Sequence, residues 1–140
     1  MTYKIKTILI ISNGPAEDAI ACSIIHYLKH EKIKFIGAPL VGHGFHYVKN
    51  NIPLCCPTKN MPSCGFANQS FKTLLKDVKA GLPTLLLKQI RSIMRQKKQI
   101  DYVISCGDVL PQIIARLTSK PHISIFTALS EYYIRNDKKH

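Results

Sequence analysis

Acidic side chains are scarce in this sequence: 8 Asp and Glu stand against 20 Lys and Arg, for a net charge of +12. That imbalance points away from basic partners and toward anionic ones such as nucleic acid, a phosphorylated substrate or a membrane surface. Most of the positive charge is lysine in a chain rich in Ile, a bias that AT-rich coding also produces, so charge alone selects no partner. Long apolar runs are missing too. No stretch approaches the roughly 20 residues that a membrane-crossing helix needs. The opening "MTYKIKTILIIS" has no small-residue cleavage site after its short apolar run and is expected to be a strand rather than a leader. There is no low-complexity tract, no internal repeat and no linker long enough to divide residues 1–140, which are expected to form one domain. The five cysteines, at 22, 55, 56, 64 and 106, are odd in number and irregular in spacing. They are expected to be reduced thiols in a reducing compartment, not a disulfide framework.

What is present is a regular alternation of strand and helix patterns. Lys4 to Ser12 is a continuous apolar run with β-branched bias, ended by Asn13-Gly14-Pro15, as expected of a central strand buried on both faces. Pro15 suits a first helical position, where its missing N–H is not needed. Ile20, Ile24, Ile25 and Leu28 then fall on one expected apolar stripe. Further on, Ile33 to Gly37 reads as a strand, "LVGHGFHYVKNN" as a loop with a short helix, and "IPLCCP" as a brief strand. "SFKTLLKDVKAG" and "LPTLLLKQIRSIMRQKKQ" read as two helical segments divided at Gly81 and Pro83. "DYVISCGD" is a strand, "VLPQIIARLTS" a helix and "HISIFTA" a last strand. The expected fold class is α/β: a Rossmann-like parallel sheet of about five strands with helices on both faces.

In such a sheet, ligands sit beyond the carboxyl ends of the strands, near the point where strand order reverses. That edge would collect Asn13 to Asp18, the loop at Gly42 to His46, Cys106 to Asp108 and Thr127 to Glu131. The first turn lacks the second and third glycines of a dinucleotide fingerprint and the Gly-Lys-Ser/Thr of a nucleotide P-loop, which excludes both. Its two acids, Glu17 and Asp18, would compete with a bound phosphate, so the turn reads either as a site for a neutral or cationic group or as simple stabilisation of the helix end. Asp108, directly after a strand and a glycine, is a candidate general base and equally a candidate N-cap for the next helix. His43, His46, Cys55, Cys56 and Cys64 offer soft ligands but no C-x-x-C pair, so no metal is expected. Cys106 reads as a small core residue, with no histidine marked to pair with it. The basic and apolar residues between Lys72 and Lys98 fit either an ordinary amphipathic helix or one resting on anionic lipid. No recognisable nucleic-acid motif accompanies the charge.

Taken together, "SNGPAEDAIA", "LVGHGFHY", "PTKNMPSCGF", "LLKDVKAG", "SCGDVLPQIIA" and "SEYYIRND" resemble the amino-terminal half of the lipid-A-disaccharide synthase-related proteins of cyanobacteria and plastids. The matches occur in order over nearly the whole chain, and "NMPSCGF" and "SEYYIR" are the specific ones. Lipid-A-disaccharide synthase, a more distant relative, is a two-domain GT-B glycosyltransferase that moves a sugar from a UDP-linked donor to an acceptor. The resemblance implies a single GT-B amino-terminal domain that holds a lipid-linked sugar acceptor. It implies Asp108 as the general base of an inverting transfer, and Asn13, Gly14, Glu17, Asp18, Gly107, Ser130 and Glu131 as acceptor-binding residues. No cofactor follows from it. The donor-binding carboxyl-terminal domain is expected to be absent, so activity would require a separate donor-binding half. The resemblance places the chain in the cytoplasm or plastid stroma, peripheral to a membrane. The competing expectation is a non-catalytic Rossmann-like module that binds an anionic lipid or nucleotide.

Overall fold

The β-branched run near the amino terminus forms strand β1 (Lys6–Ser12), and the computed structural model, which describes residues 4–58, 79 and 81–126, builds the rest of the sheet around it. Helix α1 (Pro15–Leu28) crosses to β2 (Ile33–Pro39). A short helix α2 (Phe45–Lys49) and a longer α3 (Leu82–Gln96), followed by one 3-10 turn, precede β3 (Tyr102–Gly107). Helix α4 (Val109–Leu117) then leads to β4 (His122–Phe126). The four described strands are all parallel, in the order β2-β1-β3-β4.

Alternation along β1 divides the core into two layers, because successive side chains leave opposite faces of a strand. Leu9 and Ile11 pack with Ile36, Val103, Leu85 and Ile93 of α3 and Ile114 of α4. Ile10 packs with Phe35, Ile104, Ala21 and Ile25 of α1 and Tyr47 of α2. Each face of the sheet therefore has its own helices, which is why β1 reads as an unbroken apolar run.

The buried face of α1 differs from the expected stripe. Asp18, Ala21 and Ile25 point into the core, whereas Ile20 and Leu28 are 38% and 44% exposed and Ile24 is half-buried. Apolar residues lie nearly all round this helix, so periodicity could not choose a face. The choice went to the position whose polar side chain finds partners inside.

The brief strand expected at "IPLCCP" contracts to one parallel bridge, Gly37 to Leu54, on the side of β2 away from β1. Gly37 N–H donates to the Pro53 carbonyl at 2.9 Å and Cys55 N–H to the Gly37 carbonyl at 3.0 Å. Pro53 and Pro57 flank the bridge and have no N–H to extend it. Gly37 itself admits no side chain: a Cβ there would lie 2.7 Å from the Tyr47 ring.

Gly81 caps α3 with φ 94, a left-handed conformation, and the helical segment expected before it lies, apart from Lys79, outside the described residues. Gln89, fully buried on α3, donates from Nε2 toward the carbonyls of Leu40 at 3.1 Å and Pro57 at 2.9 Å, tying the helix to the ends of β2 and its bridge. Among the described residues no helix is long and apolar enough to cross a membrane.

Candidate functional site

From β1 the chain passes to one neighbour, β2, and later returns to the other side of β1 as β3, so strand order reverses between β1 and β3. The crevice that such a reversal opens lies at the carboxyl ends of those two strands. Ser12 pairs with Cys106 there, which sets Asn13 and Gly14 opposite Gly107 and Asp108.

Asp108 is the N-cap of α4: its Oδ1 accepts from Leu110 N–H at 3.2 Å. The same oxygen accepts from Asn13 Nδ2 at 2.7 Å, joining the turn after β1 to the turn after β3. Both readings of Asp108 therefore start from one geometry, since the cap leaves Oδ2 with no hydrogen bond among the described residues. Asn13 is only 4% exposed, and its carboxamide oxygen is buried without a hydrogen-bond partner among the described residues. That oxygen lies against Gly107, whose φ of 136 favours glycine and where a Cβ would overlap the Asn13 carboxamide. Gly14 is the buried N-cap of α1, and its carbonyl accepts from Asp18 N–H at 2.9 Å.

Asp18 turns inward. Its Oδ1 accepts from Ser12 Oγ at 2.5 Å, and Ser12 Oγ lies 2.6 Å from the Tyr47 hydroxyl. Ser12 has one proton to give and gives it to Asp18, so Tyr47 donates in turn to Ser12. All three residues are buried, Asp18 at 2% exposure. Burial raises the Asp18 carboxyl from 3.8 to about 6, against the pull of the Ser12 hydrogen bond and with added repulsion from Glu17. Burial also holds the Tyr47 phenol well above its ordinary value, so it stays neutral. The resemblance implies that Asp18 binds the acceptor; in the structure its carboxylate is hydrogen-bonded to the Ser12 hydroxyl of the protein itself. Glu17 is half-buried on the same turn.

The structure thus brings Asn13, Gly14, Gly107 and Asp108 together and gives Asp18 to a separate internal network. Ser130 and Glu131 lie outside the described residues. Cys106 is fully buried, and its thiol is pushed up to about 11 by burial and then by Glu17 and Asp18. No three His, Cys, Asp or Glu side chains gather among the described residues where a metal ion could be held, and Cys64 lies outside them. Ser12 and Tyr47 went unnoticed in the sequence. Ser12 closes an apolar strand and Tyr47 sits 35 residues away on α2, with no spacing that pairs them.

The chain matches no protein-family model, no curated protein and no solved structure.

Proposed function

We propose that this chain is the acceptor-binding part of a glycosyltransferase related to lipid-A-disaccharide synthase, which passes a sugar from a UDP-linked donor to a lipid-linked sugar acceptor with inversion. The domain is Rossmann-like in this reading, with β2-β1-β3-β4 as the centre of a sheet of about five strands. The observation that carries it is the Asn13 to Asp108 hydrogen bond at the reversal point between β1 and β3. It holds a carboxylate at the edge where parallel sheets receive ligands.

Two N–H donors, from Asn13 and Leu110, fix Oδ1 of Asp108, and Oδ2 is the oxygen left to accept a proton. As the acceptor hydroxyl attacks the anomeric carbon, its proton passes to Asp108 and the bond from that carbon to the UDP oxygen breaks. The UDP-sugar sits on a donor-binding half, which this reading assigns to a separate partner. Lys88, Arg91 and Arg95, exposed along α3, suit an anionic membrane surface beside the acceptor. The four described cysteines are free thiols, in keeping with a reducing compartment such as the cytoplasm or plastid stroma.

Titrating the chain with a glycosylated lipid and, separately, with labelled UDP-sugar tests the assignment. Glycolipid binding without UDP-sugar binding is expected, and the reverse pattern overturns it. The cap role of Asp108 favours a second reading, a non-catalytic module. Asn caps helices as well as Asp does, so Asp108→Asn keeps the cap and isolates the chemistry. Wild-type transfer by that variant, paired with a donor-binding half, would remove the base assignment, whereas no transfer by the unaltered pair would leave the module.

A further inference from the structure

At the other end of the sheet, over the start of β2, lies a cavity of about 600 Å3 that the β1 and β3 edge does not use. Its floor is apolar: Ile25 of α1, Ile33 and Phe35 on one face of β2, and Ile52 after α2. Its rim is basic. Lys29 and Lys34 face it with Glu31 as the one acid in the lining, and neither lysine makes an ion pair among the described residues. Through Cys22, His26 and Asn50 the cavity continues into a second concavity of about 420 Å3, bordered by Tyr27, which is 87% exposed. The result is an elongated trough between α1 and the segment after α2, within the size range of small-molecule sites.

We propose that this trough binds a single-chain amphiphile with an anionic head, its alkyl chain lying on Ile25, Ile33, Phe35 and Ile52 and its head against Lys29 and Lys34. An apolar floor without a charged rim would take any oily molecule. Two lysines against one glutamate select a carboxylate or phosphate monoester over a cationic or neutral head. The proposal is independent of the glycosyltransferase reading, because the two sites lie at opposite ends of β2's neighbour β1: Ile33 pairs with Lys6, whereas the acceptor edge begins beyond Ser12.

Dodecanoate and dodecyl phosphate, each kept below its micelle-forming concentration, are titrated into the full chain while backbone amide shifts are followed by NMR. Shifts are expected to cluster on Lys34, Asn51 and Ile52. Affinity should fall roughly tenfold for every two methylene groups removed from the chain. The Lys29→Glu/Lys34→Glu double variant, altered only at exposed positions, should bind about tenfold more weakly. The two heads distinguish a carboxylate from a phosphate ligand, and inorganic phosphate alone should produce no clustered shifts. Equal binding of dodecyltrimethylammonium, indifference to the double variant, or no saturable shifts overturns the proposal. Shifts confined to Asn13 and Asp108 would likewise overturn it while leaving the acceptor site standing.

Discussion

The first turns of α1 and α4 both follow a parallel strand, both carry an aspartate, and treat it in opposite ways. Asp108 stays at the surface edge and accepts from a backbone N–H and from Asn13, so its position is set by donors. Asp18 is taken inside and accepts from the Ser12 hydroxyl, which is in turn hydrogen-bonded to Tyr47, with no backbone N–H on its carboxylate among the described residues. A carboxylate held by N–H groups is ready to meet a ligand, whereas one surrounded by neutral hydroxyls in the core gains by keeping its proton. Two aspartates near helix starts thus end differently, one as a cap at the strand edge and the other inside a hydroxyl network.

Under the proposed glycosyltransferase function, the contrast is sharpest in sugar transfer. With a donor-binding half supplied, Asp108→Asn should lower transfer by about 1,000-fold with its unfolding midpoint unchanged, while Asp18→Asn should alter transfer only slightly; steady-state rates on both variants decide this. Next in size is the backbone beneath Asp108. Gly107→Ala forces a Cβ into the Asn13 carboxamide at a left-handed φ and should cost about 3 kcal/mol in urea denaturation.

The inward aspartate has its own signature in pH. Its folded carboxyl titrates near 6, above the ordinary 3.8, so the folded chain holds that proton more tightly than the unfolded one. The resulting stabilisation is complete below about pH 4 and declines as pH rises through about 6, a loss of about 2–3 kcal/mol. Denaturation at several pH values should show this decline in the wild type and not in Asp18→Asn; parallel profiles would mean that Asp18 does not hold the proton. The smallest effect is the cap alone: Asp108→Ala should lose about 1 kcal/mol and Asp108→Asn almost none.

Much of the frame could be read from residue order. The apolar runs of β1 and β3 and the Pro15 start of α1 are local signals, and the structure places those elements within a residue or two of them. Asp108 at a strand end was legible as well, together with its capping role. What escaped were contacts made across sequence distance. Nothing near Tyr47 announces that its hydroxyl reaches Ser12, and nothing near Gln89 announces that it will gather the carbonyls of Leu40 and Pro57. The face of α1 was misjudged for a related reason: Ile20 and Leu28 are as apolar as Ile25, and only the partners awaiting Asp18 decided the rotation.

The proline pair around the Gly37 bridge bears on how the segment after α2 is fastened to the sheet. Pro53 turns its carbonyl and Cys55 its N–H to Gly37, and neither Pro53 nor Pro57 has an N–H with which to lengthen that pairing. Among the described residues the segment therefore touches the ladder at one point, and the grip of Gln89 on the Pro57 carbonyl is left to hold its far end.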